Sequence, residues 1–125
     1  MSNNVNKQVS ILLAESEIAG GQELHGTVTI NYPGRWDSIV INSQIENSSD
    51  VFSYMTINEK KIKHPYARLS IFKTELGGKT TIEFAAITKH VPASDQSNAK
   101  FRVSIIQEHK EVASDIAYLK IIKRD

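Results

Sequence analysis

Four histidines, His25, His64, His90 and His109, are the first residues to test for chemistry, because imidazole ligates metals and moves protons near neutral pH. They are scattered through the chain, and none has a second His or a carboxylate at zinc-ligand spacing. The chain has no Cys, which removes thiolate metal sites, disulfides and a cysteine nucleophile together. Each histidine therefore reads as an ordinary surface residue, with His90, close to Pro92, able to cap a loop. Asp and Glu are spread singly over turns and solvent faces, so no acid/base pair stands out. A Gly-x-Ser-x-Gly elbow, a Gly-x-x-x-x-Gly-Lys phosphate loop and a dinucleotide fingerprint are all missing from the sequence. Ser48, Ser94 and Ser114 sit beside turns, where serine hydroxyls bond the backbone. The expectation is a protein that is not an enzyme and carries no cofactor and no metal.

Two other groups of residues suit binding instead. Lys60, Lys61 and Lys63, with His64, Tyr66 and Arg68 following, form the one concentrated run of charge. It reads either as a solvated loop or as a patch for anionic lipid headgroups or an acidic partner, each basic residue adding about 1 kcal/mol near a charged membrane. No aromatic-studded basic sheet accompanies it, and the formal net charge is only +1, so nucleic acid is not expected as a partner. Trp36, the single tryptophan, follows Pro33-Gly34-Arg35 in a turn. It is either a lid over the open end of a core or, with Arg35, an exposed anchor for a protein partner. Phe52, Tyr54 and Met55 make a second, smaller interface candidate, with alternation assigning at least half of them to the core.

The elements that must hold these residues follow period two. Val9, Ile11 and Leu13 alternate, as do Leu24, Gly26, Val28 and Ile30, and then Ile39, Ile41, Ser43 and Ile45. Ser16-Glu17, Pro33-Gly34, Asn47-Ser48-Ser49-Asp50 and Gly77-Gly78 punctuate the runs as turns. The segment from Asn58 to Pro65 reads as an exposed loop or edge, and that from Tyr66 to Leu76 as a short strand with room for one helical turn. Ile82–Ile87 and Phe101–Ile106 flank a polar stretch holding Pro92 and Ser94, the pattern of two strands joined across one end of a sandwich. Glu108-His109-Lys110-Glu111 is a hairpin tip, and Val112–Ile122 fits a long, bulged strand better than a helix. The count is seven to eight strands in an all-β antiparallel sandwich.

At 125 residues the chain fits one domain with a core of its own. Its 40% hydrophobic and 23% charged content is ordinary for a soluble protein. The polar residues 1–7 read as a flexible tail without the apolar run of a signal peptide, so a cytoplasmic protein is expected.

The run Gly21-Gln22-Glu23-Leu24-His25-Gly26-Thr27-Val28-Thr29-Ile30, preceded by Val9–Ala14, resembles the Gly-x-x-x-x-Gly-x-Val-x-Ile pattern of the arrestin superfamily, which includes arrestins, the retromer small subunit and sporulation-control proteins. Ile82–Ile87, Pro92 with Ser94, and Phe101–Ile106 look like a second element of those domains. The resemblance implies an arrestin- or immunoglobulin-like sandwich that binds partners and does no chemistry. Family members usually pair two such domains, and this chain has room for one. Where receptor-binding arrestins use lysines just after the first strand, Ala14-Glu15-Ser16-Glu17 is acidic, so phosphoreceptor recognition does not carry over. The expected function is a protein-interaction or scaffold module that takes a peptide on a free sheet edge, or pairs two copies into a homodimer. The alternative is a peripheral membrane adaptor working through Lys60, Lys61 and Lys63. A surface-exposed extracellular sandwich is the weakest of the three.

Overall fold

The computed structural model describes residues 7–63 and 67–123. Among these residues ten strands form: β1 (Val9–Leu13), β2 (Glu17–Ala19), β3 (Leu24–Ile30), β4 (Ser38–Ile45), β5 (Ser53–Ile57), β6 (Lys60–Lys61), β7 (Arg68–Phe72), β8 (Thr81–Ile87), β9 (Gln96–Gln107) and β10 (Lys110–Ile122). A 3₁₀ turn, Lys73–Leu76, follows β7. One sheet runs β1-β3-β8-β5-β6 and the other β2-β10-β9-β4-β7. The fold is the expected all-β sandwich, with two strands more than the alternation suggests. The additions, β2 and β6, are three and two residues long, too short for a period to show. β2 also pairs parallel to β10, an exception among otherwise antiparallel ladders that no local pattern signals. Glu17 thus belongs to a strand and not to a turn.

Alternation places the core. Leu24, Val28 and Ile30 of β3, Ile39 and Ile41 of β4, Ile82 and Phe84 of β8, and Phe101, Val103 and Ile105 of β9 point between the sheets and are buried. Phe52, Tyr54, Phe84 and Phe101 form its centre, with ring centroids 4.9 to 6.2 Å apart in tilted and edge-on pairs. Such pairs add about 0.5–1.5 kcal/mol each beyond their buried area. Phe52 and Tyr54 are therefore core residues, not an interface, and only Met55 beside them is partly accessible.

Gly26 explains why β3 needs a glycine in mid-strand. It pairs with Phe84 on β8, and a Cβ at Gly26 would collide with the tip of the Phe84 ring. The aromatic ring covers the glycine and fills the volume a side chain would take. The β5–β6 and β9–β10 hairpins turn through Asn58-Glu59 and Glu108-His109, all four with positive φ. Two-residue turns that follow strand twist require that conformation. β10 is bulged between Glu111 and Ala113, as its mixed phases suggest.

Candidate functional site: the open edge of β7 and its cleft

Each sheet has two edge strands. On β1 the Ile11 amide donates to Asp115 Oδ2 of β10 at 3.0 Å, and Lys7 Nζ lies 3.1 Å from Asp115 Oδ1, so that edge is covered. Lys7 is thereby tied to the fold; the remainder of the expected tail, residues 1–6, lies outside the described residues. β2 and β6 are too short to template another strand. β7 is the remaining edge, five residues long and, among the described residues, paired on one side only, to β4.

The ladder shows which β7 amides face outward. Lys73 N–H donates to Asp37 O at 2.9 Å, continuing the β4–β7 ladder, while the neighbouring Phe72 N–H donates to Glu75 Oε1 at 2.9 Å, away from β4. Antiparallel pairs alternate between bonded and non-bonded positions. Ser70, two residues before Phe72, therefore turns its N–H and C=O to the free edge, as does Arg68. Leu69 and Ile71 bond β4 and bury their side chains.

This edge opens onto a cleft of about 490 Å³ between β7 and the β5–β6 hairpin. Ile57, Ile62, Ile71 and Leu76 supply its apolar surface, and Lys60, Lys61 and Lys79 its charge. Glu75 is the one acidic residue lining it among the described residues, and its carboxylate is already engaged by the Phe72 amide. The lysine run of the sequence thus divides: Lys60 and Lys61 are the edge strand β6 and line the cleft, whereas Lys63 is exposed beyond it. His64 and Tyr66 lie outside the described residues.

Arg35 and Trp36 are placed elsewhere. Trp36 is 8% exposed and packs into the core cluster, with Lys73 Nζ 5.2 Å from the ring centroid on its outer face. The ring is the lid at this end of the sandwich rather than a presented anchor, because burying it removes a large apolar area from water. Of the two, Arg35 is exposed and Trp36 is not.

The opposite end holds an arrangement that sequence spacing could not show. His90 is buried, with Nδ1 2.9 Å from Asp50 Oδ2 and Nε2 2.9 Å from Ser97 Oγ. An ionised carboxylate only accepts, so Nδ1 donates to Asp50, and in the neutral ring Nε2 is then left to accept from the serine hydroxyl. The bond to His90 holds the Asp50 carboxyl below its ordinary value, with a further contribution from Ser48. The order Ser–His–Asp matches that of a hydrolase triad, but Ser97 is buried along with the ring. Thr88 Oγ1 accepts from the His90 amide and donates to Val51 O, so the cluster ties the β4–β5 and β8–β9 connections together. His90 is a buried structural residue and not the surface histidine its sequence context suggests.

A third feature is Tyr118, 71% exposed on the outer face of β10 between two shallow grooves lined by Gln44, Asn98, Lys100 and Lys120. Among the described residues no cluster of three metal-ligating side chains forms, and no helix is long and apolar enough to cross a membrane.

The fold places the chain in the class of two-sheet β-sandwich domains. No family model matches it, and no curated protein sequence does. Among solved structures, the reeler domain of human F-spondin aligns with a TM-score of 0.56 at 12% identity, over 99% of this chain and all of that one. BslA, a bacterial hydrophobin, aligns at 0.54 with 13% identity over 93% and 98% of the two chains. The Salmonella SafD adhesin aligns at 0.52 with 12% identity over 95% and 100%. At these identities the likeness is one of fold.

Proposed function

We propose that the protein is a non-enzymatic protein-binding module that takes an extended segment of its partner as an added strand on β7. The observation that carries this reading is the outward-facing amide and carbonyl of Ser70, opening onto a cleft whose apolar surface can receive alternate side chains of an incoming strand. Similarity to adhesins and a reeler domain, and the arrestin-type pattern of Gly21–Ile30, support a binding role over a catalytic one. The burial of Ser97 supports it too, since a nucleophile must reach its substrate.

The test is Ser70→Pro. Proline removes one edge donor that faces away from β4, so the β4–β7 ladder and the fold stay intact. Displayed random heptapeptides would be selected on the wild-type protein and re-measured on the variant. Selected peptides should lose binding to Ser70→Pro while circular dichroism and melting temperature hold. Peptides that bind both proteins equally would show that the edge is not the site.

A further inference from the structure

We infer that the β7 cleft selects an acidic partner, an extended segment in which Asp or Glu alternates with apolar residues. The inference rests on the strand-addition reading and adds the chemistry of the partner to it.

Side chains of a strand point alternately to its two faces. A strand added beside Ser70 would send every second side chain inward, toward Ile57, Ile62, Ile71 and Leu76, which together present aliphatic surface and no charge. The other set would face outward beside Arg68, which is exposed on the edge strand, and acidic side chains at the cleft mouth would meet the exposed Lys60, Lys61 and Lys79 that line it. Lys60 and Lys61 are exposed and neither takes part in an ion pair among the described residues, so their charge is available to a ligand.

Glu75 shows that this edge accepts a carboxylate, and it opposes a second one. Its carboxylate occupies the Phe72 amide at the free edge, the position an incoming backbone carbonyl or acidic side chain would take. As the third residue of the 3₁₀ turn it also serves as half of a capping box, which accounts for its presence without a ligand. Its negative charge is, among the described residues, the one acidic feature of the cleft opposing a further acidic side chain. The same lysines disfavour a second copy of this chain, because two β7 edges brought together would set like charges face to face.

The probes are four fluorescein-labelled heptapeptides measured by fluorescence anisotropy. One alternates Glu with Val, two carry Ser or Lys in place of every Glu, and the fourth is the Glu peptide N-methylated on alternate amides. The Glu peptide should bind about tenfold or more tighter than the Ser peptide, with the Lys peptide weakest and the preference shrinking as salt rises. Lys60→Glu/Lys61→Glu should abolish that preference. Glu75→Gln keeps an acceptor for the Phe72 amide and removes the charge, so it should tighten the Glu peptide by about threefold. Equal binding of the Glu and Ser peptides overturns the acidic selection and leaves strand addition standing. Undiminished binding of the N-methylated peptide overturns strand addition, because charge alone would then hold the ligand. Failure of all four peptides, together with Lys60-dependent binding to phosphatidylserine vesicles, overturns both in favour of a lipid surface.

Discussion

At the residue scale, stability turns on a few side chains whose surroundings leave no alternative. Gly26→Ala forces a methyl into the Phe84 ring. Overpacking of this kind costs about 1–3 kcal/mol. Chemical denaturation should show that loss, and Phe84→Leu in the same chain should recover part of it; simple additivity would mean the two do not collide. Tyr54 behaves in the opposite way. Burial pushes its phenol well above the ordinary range, and its hydroxyl has no hydrogen-bond partner among the described residues. Tyr54→Phe removes an orphaned polar group and should leave stability unchanged or raise it by about 1 kcal/mol. A loss of that size would reveal a partner for the hydroxyl. His25 gives a pH signature. Hydrogen bonds to Glu15 and then Glu23, at 3.1 and 2.8 Å, raise its pKa above the ordinary 6.5. A raised folded-state value means the stabilisation is full below the unfolded pKa, while both carboxylates stay ionised, and is lost as pH rises through the folded one. Urea titrations of wild type and His25→Gln should therefore differ at mildly acid pH and converge at alkaline pH. A difference that stays constant with pH would remove His25 as its source.

At the element scale, the long strands were legible and the short ones were not. Leu24–Ile30, Ile39–Ile45 and Phe101–Ile105 alternate because one face of each is buried, and burial is what writes a period into a sequence. β2 is held by a parallel pairing with Lys120–Ile122 at the far end of β10, and nothing within three residues can record that. The candidate site was partly legible for the same reason. Lys60 and Lys61 announce their charge, but the open edge they face depends on which strand ends its sheet, a property of topology. Ser70 carried no signal beyond being polar between Leu69 and Ile71. His90, Asp50 and Ser97 lie in separate connections and strands and meet only because β8 and β9 belong to different sheets. Turn chemistry was legible in place, though not in strain. Glu108 and His109 have φ of 48° and 68°. Side chains other than Asn, Asp and Gly fit poorly there. Replacing them with Asn-Gly should stabilise the hairpin by about 1 kcal/mol. A thermal melt that does not rise would mean other contacts of the turn, such as the Glu108 amide to Asp37 Oδ2 at 2.7 Å, offset the relief.

At the scale of the whole molecule, connectivity decides how it comes apart. Of the nine connections between the ten described strands only β5–β6 and β9–β10 stay within a sheet; the other seven cross from one sheet to the other. Neither sheet can detach without unthreading most of the chain, so the two should melt together. The ends of the sandwich are tied differently. At one, Trp36 lies under Lys73 and Asp37 holds the β9–β10 turn. At the other, His90 joins Asp50 and Ser97 across two inter-sheet connections. His90→Ala leaves the Ser97 hydroxyl and the space of an imidazole uncompensated at that far end, a loss of about 1–3 kcal/mol. Because the fold is one cooperative unit, Trp36 fluorescence should report that loss with the same midpoint shift as far-UV circular dichroism. A Trp36 transition that kept its wild-type midpoint while the circular dichroism midpoint fell would mean that the two ends unfold independently, and that the crossing connections do not couple them.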